Sequence, residues 1–405
     1  MNKSKERILK TIEHEEPDRV PIYISSIDSE DVLKHFSRKN STLGSVGDYL
    51  ELMHYFLGWR KIVKWLSHRK IIIKAGLERI LKIYKKLKID LFTAPVALFI
   101  TGAGKFGIKL KDDPSNYKNY VDEYGRIFKH IESDGLKLMY YVGGYFASDD
   151  LTEAMAKYEQ FAEKLDPYHP VRMRTYKSAL EIAKDDIYVI PSIMGVLEPA
   201  WESFGFNTFV KLIFKEKKFM KRVFNNLGKF SVDIINDISA KTGCELFWMW
   251  DDQAHKTGTF LTPNQFKEFV LPELKNICEA CHRNGAKIIM HTDGNIKKIM
   301  PDLINIAKID GLNPFEPASS IDIIEEKKNW GDKITLVGNV DPIEYLAHGS
   351  PKMVENRVKE LIKYCAPGGG YILSSGHSIN PSVSYENFIT LINTVKKFGT
   401  YPIKL

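Results

Sequence analysis

No apolar run in this chain approaches the roughly 20 residues that a bilayer-crossing helix needs, so no membrane span is expected. The opening residues, Met1-Asn2-Lys3-Ser4-Lys5-Glu6-Arg7, lack the apolar core of a signal peptide. Cysteine is scarce. Four in 405 residues do not make a disulfide scaffold, and a reducing cytoplasm is the expected compartment. A strong excess of one charge is also missing. The formal net charge of +7 permits anionic partners without demanding them, and nucleic-acid motifs are absent. Gly368-Gly369-Gly370 precedes an apolar run rather than a helix, so it reads as a turn and not as a phosphate loop. Cys278-Glu279-Ala280-Cys281-His282 has no second C-x-x-C to complete a zinc site and reads as core packing within a helix, and Cys365 reads as structural too.

What the chain does have is apolar, β-rich runs alternating with helical periodicity. Eight are expected as strands: Pro21–Ser26, Ile89–Val96, Ile187–Ile193, Leu246–Asp251, Lys287–Thr292, Asp310–Asn313, Ile334–Gly338 and Gly370–Ser375. Strands this continuously apolar belong in a parallel sheet covered on both faces. Eight of them with intervening helices predict an α/β fold of the (β/α)8 TIM-barrel type, one domain over residues 1–405. Thr262-Pro263-Asn264-Gln265, Ser350-Pro351 and Asp150-Leu151-Thr152-Glu153 carry helix-start signals, and Gly285 a stop.

Residues 103–146 break the alternation. Phe106–Lys111, Tyr117–Val121, Arg126–Ile131 and Lys137–Tyr141 are separated by turn signals and predict a small antiparallel β insertion after the second strand, over the C-terminal mouth. Residues 55–88 are basic and helical, with Lys61, Lys64, Arg69, Lys70, Lys74, Lys82, Lys85, Lys86 and Lys88. They read as amphipathic helices with a solvated basic face rather than a surface for an anionic partner.

Barrel enzymes carry their chemistry at the C-terminal ends of strands. That filter selects Asp251 and Asp252 after strand four, His291 and Asp293 after strand five, and Glu316 after strand six. It adds Asn339 and Asp341 after strand seven as substrate-binding candidates, and His377 after strand eight. Asp251, Asp252 and His377 are the candidate acid–base groups. His291 and Asp293 alternate with Thr292, so both point one way in an extended strand. With His377 they offer two imidazoles and a carboxylate, a donor set that suits tetrahedral zinc, and Glu316 is the expected fourth ligand in a resting state. A hydrogen-bonded His291–Asp293 pair that orients a polar substrate without metal satisfies the same spacing.

Six stretches taken together resemble the uroporphyrinogen decarboxylase superfamily. They are Glu15-Glu16-Pro17-Asp18-Arg19-Val20-Pro21, Tyr120-Val121-Asp122-Glu123-Tyr124-Gly125-Arg126, Trp250-Asp251-Asp252, His291-Thr292-Asp293-Gly294-Asn295, Gly338-Asn339-Val340-Asp341-Pro342 and Gly369-Gly370-Tyr371-Ile372-Leu373. The resemblance runs over nearly the whole chain and implies a (β/α)8 barrel. True decarboxylases of this superfamily carry an arginine-rich segment after the first strand for their substrate's carboxylates. Here Tyr23-Ile24-Ser25-Ser26-Ile27-Asp28-Ser29-Glu30-Asp31 has no arginine and three acids. Methyltransferases of the methylcobalamin:coenzyme M type bind zinc through a His-x-Cys pair after strand five and a cysteine after strand eight. The matching positions here are His291, Asp293 and His377, so both thiolates give way to harder donors. The resemblance therefore implies zinc-dependent methyl transfer in corrinoid-linked one-carbon metabolism, with a small-molecule substrate and a corrinoid carried on a partner protein. Decarboxylation of a tetrapyrrole or other carboxylated substrate is the alternative.

Overall fold

A computed structural model describes residues 2–36, 69–97, 105–106, 119–133 and 136–405. Among these, fourteen strands are numbered in chain order. The barrel strands are β1 (Ile22–Tyr23), β2 (Leu91–Pro95), β7 (Tyr188–Met194), β8 (Leu246–Trp250), β11 (Lys287–His291), β12 (Gly311–Asn313), β13 (Thr335–Val340) and β14 (Tyr371–Ser375). They close in the order β1-β14-β13-β12-β11-β8-β7-β2, every pair parallel, with β2 returning to β1 through Tyr23 and Leu91. Each expected strand has its counterpart. The first is the most trimmed, because the chain leaves the ladder after Tyr23 and touches it again only through the Ile27–Ile379 bridge.

The two-sided burial that made these strands legible has two sources. Outward side chains such as Val189, Ile193, Phe247, Ile288 and Leu336 join the layer beneath the helices. Inward side chains, Tyr23, Leu91, Tyr188, Ile190, Leu246, Trp248, Ile289, Val337 and Ile372, fill the lumen. The helix Lys3–Ile12 adds Ile8 and Ile12 to that inner cluster. Arg7 of the same helix reaches the fully buried Asp90, which also accepts the Ile22 backbone N–H, so a paired charge fixes the helix to the start of β1 and β2.

The start signals operate as read. Asp150 accepts the N–H groups of Thr152 and Glu153, Ser350 accepts that of Met353, and Thr262 and Gln265 form a reciprocal capping box. The helix opened at Thr262 is not uniform, however. After Pro263–Gln265 comes a π turn, Phe266–Val270, before the α-helix Leu271–Arg283. Pro272 has no N–H for the ordinary ladder and crowds the preceding turn, which widens there.

The insertion forms an antiparallel sheet in the order β3 (Lys105–Phe106), β4 (Asn119–Val121), β5 (Arg126–Ser133), β6 (Leu136–Gly144). Residues 107–118 lie outside the described residues, so the expected Phe106–Lys111 strand is seen only at its start. The sheet is moored to the helix Leu197–Phe204 that follows β7: Phe146 N–H donates to Ser203 O at 2.9 Å, and the Tyr141 hydroxyl to Glu202 O at 2.8 Å. β2 and β7 both lead into this region at their C-terminal ends, which brings the insertion beside that end of the barrel.

Within the basic region, residues 55–68 lie outside the described residues, while Lys70–Leu87 is one helix. Its Lys70 and Lys74 both pair with Glu181, and Lys85 pairs with Asp186. Among the described residues no helix is long and apolar enough to cross a membrane. All four cysteines are buried, and burial pushes the thiols of Cys278 and Cys281 above their ordinary range, as core packing requires.

Candidate active site

Asp252, His291 and Asp293 converge at the C-terminal end of β8 and β11, with one ligand-capable atom from each within 4.8 Å of the others. His291 is the fixed point. It ends β11 in register with Trp250 on one side and Asn313 on the other, and its ring lies 4.5 Å from that of Trp250. Nδ1 of His291 is 2.6 Å from Oδ1 of Asn313, whose amide nitrogen donates to Val337 O. The amide oxygen can only accept, so Nδ1 of His291 donates to it and Nε2 is the nitrogen turned toward the carboxylates.

Nε2 stands 3.6 Å from Asp293 Oδ1 and 3.9 Å from Asp252 Oδ1. Both separations exceed a hydrogen bond. They come close to the roughly 3.3 Å edge of a tetrahedral zinc site with bonds near 2.0–2.1 Å. Asp293 Oδ1 is buried without a hydrogen-bond partner. One imidazole nitrogen and two carboxylate oxygens facing one another suit a cation, and the residues present fit zinc.

Asp252 is aimed from two directions. Its Oδ1 accepts the Asp293 backbone N–H at 2.8 Å, and its own N–H donates to Glu198 Oε2 at 3.1 Å. Burial, with Glu198 and Asp293 nearby, holds its carboxyl well above the usual range. Asp293 is pulled the other way. Burial alone would raise it, but His291 and His377 hold it below the ordinary value.

The other expected site residues are placed as follows. His377 is half-exposed, with Nε2 3.5 Å from Asp293 Oδ2, beside the trio rather than in it. Its hydrogen bond to Asp293 and the further charges of Glu316 and Asp28 raise its pKa. Glu316 turns Oε2 to the Gly294 N–H at 3.0 Å and the Ser319 hydroxyl at 2.6 Å, a bracing role for the loop after β11. Asp251 is fully buried and accepts the N–H groups of Val196 and Glu198, capping the helix Leu197–Phe204, and burial still pushes it up to about 7. Asn339 donates to Phe315 O and receives Arg357, and Asp341 caps the turn that follows β13.

Two further residues, Asn313 and Glu198, belong to the site. Asn313 ends its own strand beside His291, so adjacency in a parallel ladder could have pointed to it. Glu198 lies in the first turn of the helix after the third barrel strand, where a carboxylate has the ordinary role of favouring a helix N-terminus.

A family model described as "Uroporphyrinogen decarboxylase (URO-D)" matches residues 150–398. That span holds six of the eight barrel strands, the trio, Asp251, Glu316 and His377, and it leaves out β1, β2 and the insertion. A uroporphyrinogen decarboxylase from Pseudoalteromonas translucida (strain TAC 125) is 26% identical over 196 residues, 48% of this chain and 52% of that protein. The chloroplastic uroporphyrinogen decarboxylase of Nicotiana tabacum is 27% identical over 197 residues, 47% of this chain and 46% of that one. The chain thus spans about half the length of the curated relatives it matches. Among solved structures, a methyltransferase from Methanosarcina mazei covers 98% of both chains with a TM-score of 0.64 at 17% identity, a likeness of fold.

Proposed function

The chain belongs to the uroporphyrinogen decarboxylase family, and from that premise we propose that it is a zinc-dependent methyltransferase of corrinoid-linked one-carbon metabolism. The observation that carries this reading is His291 Nε2 facing two carboxylate oxygens at 3.6 and 3.9 Å, with the ring held by Asn313.

Asp252, His291 and Asp293 would hold the metal. When bound, zinc would supply the Lewis acidity that lowers the pKa of a thiol or hydroxyl acceptor. The protein's own residues do the rest. Trp250 packs on the His291 ring and shields the nitrogen donor from water. Asn313 holds that ring in one orientation. His377, open to solvent and next to Asp293, takes up or returns the acceptor's proton. A corrinoid borne by a partner protein would supply the methyl group, and this chain's residues would hold the acceptor anion in place to receive it.

Decarboxylation is the second reading, supported by the family's named relatives and by the His377–Asp293 pair, an arrangement able to protonate a carbanion. The environment near His377 tells against a polycarboxylate substrate. Asp28, from the segment after β1, lies close enough to His377 to act on its charge, and the described residues Tyr23–Phe36 contain no arginine. Substrates with several carboxylates need guanidinium forks.

Following methylcobalamin absorbance in the presence of thiol and hydroxyl acceptors tests the proposal. Demethylation that stops after chelation and returns with zinc supports it. Undiminished turnover after exhaustive chelation, or porphyrinogen binding at micromolar levels, contradicts it.

A further inference from the structure

Asp252 reaches the trio through a linkage that begins in the antiparallel insertion. Arg126, at the start of β5, is fully buried and bonded through Nε to Asp122 at 2.6 Å. Its Nη1 reaches Glu198 Oε1 at 3.3 Å and Glu202 Oε2 at 3.1 Å. Glu198 then uses its other oxygen, Oε2, to accept the Asp252 N–H at 3.1 Å. The backbone N–H of Glu198 donates to Asp251 Oδ1 at 2.8 Å. One residue therefore holds both members of the Asp251-Asp252 pair, one through its backbone and one through its side chain.

The two aspartates are adjacent, so extended backbone sends their side chains to opposite sides. Asp251 is turned to the helix Leu197–Phe204 and locked there. A Cβ on Gly195 would fall 2.3 Å from Asp251 Cγ, so the space is already filled. Asp252 is left to project toward His291. Its carboxylate position depends on its own backbone, and Glu198 is the side chain that accepts the N–H of that residue.

We propose that Glu198 is the positioning residue of the candidate metal site: it joins Arg126 of the insertion to the Asp252 N–H and so makes the site's metal affinity depend on the insertion. This inference rests on the metal reading above. Glu198 does not touch the metal or a substrate. It acts through Asp252.

Two conservative changes test the joint. Glu198→Asp keeps the carboxylate but withdraws it by one methylene from the Asp252 N–H. Glu198→Gln keeps the length but has one acceptor oxygen, so it can serve the Asp252 N–H or Arg126 and not both. Glu202→Gln changes another Arg126 partner and leaves Asp252 alone. Zinc affinity is measured for all three and for the wild type by competition with a chromophoric chelator. Cobalt(II) absorption spectra report the geometry of the same site, and folding is checked by circular dichroism.

Positioning predicts that Glu198→Asp binds zinc about tenfold to a hundredfold more weakly, the range for partners that orient a metal ligand, with an altered cobalt spectrum. Glu198→Gln, which breaks the joint at one end, should also bind more weakly, while Glu202→Gln should stay within about threefold of the wild type, well short of that range. Equal affinity in the wild type and Glu198→Asp overturns the positioning role. So does an equal loss in all three variants, which marks a general loosening. A wild type that binds no zinc overturns the metal reading itself, and this inference with it.

Discussion

Nδ1 of His291 and Oδ1 of Asn313 are 2.6 Å apart at the ends of neighbouring parallel strands, and that bond decides which imidazole nitrogen faces the site. An acceptor behind a metal-ligating histidine fixes both its tautomer and its ring orientation. Asn313→Ala should therefore weaken zinc binding about tenfold to a hundredfold while leaving the barrel folded. Chelator competition with circular dichroism checks it, and unchanged affinity would show that the tautomer is set elsewhere.

His377 stands beside the trio, 3.5 Å from Asp293 and half-exposed. Three protein ligands suffice for an open zinc site. His377→Ala should accordingly keep its metal while losing turnover. Metal content and demethylation rate measured on the same preparation decide this, and zinc lost along with activity would move His377 among the ligands.

Gly294 has φ of +83°, and a Cβ there would lie 2.5 Å from the Ala254 carbonyl carbon. Its N–H is also the group that Glu316 braces. Gly294→Ala is both strained and crowded, and should cost more than about 1 kcal/mol of stability and displace the neighbouring Asp293. A fall in melting temperature with reduced zinc affinity is the expected result. Wild-type values for both would remove the conformational argument.

Arg126 is one buried cation among Asp122, Glu198 and Glu202. Burial, reinforced by Glu198, pushes Glu202 up to about 8, even though Arg126 pulls it down. In the unfolded chain a glutamate releases its proton near 4.3. Unfolding thus releases a proton between those values, and this group's share of stability is lost as pH rises through that window. The melting temperature of Glu202→Gln should fall less than that of the wild type between pH 5 and pH 8.5. Parallel curves would contradict the assignment.

Much of this was legible in the sequence because parallel barrel strands are apolar on both faces. Tyr188–Met194 is buried along its whole length, and so it stood out as an uninterrupted run. His291 and Asp293 were legible as a pair from strand alternation. The place of Asp252 was not. Which of two adjacent aspartates faces His291 depends on Val196 and Glu198, over fifty residues earlier, capturing Asp251. The expected ligation by Glu316 meets a competing local use of its carboxylate, bonds to Gly294 and Ser319, that no spacing discloses.

Zinc content by elemental analysis of purified wild type beside His291→Ala and Asp293→Ala tests the central claim most directly. About one zinc per chain, lost in both variants, is the result the convergence of Asp252, His291 and Asp293 predicts. A wild type purified and zinc-reconstituted without retaining metal, yet active, would contradict it and return the chemistry to proton transfer by His377 and Asp293.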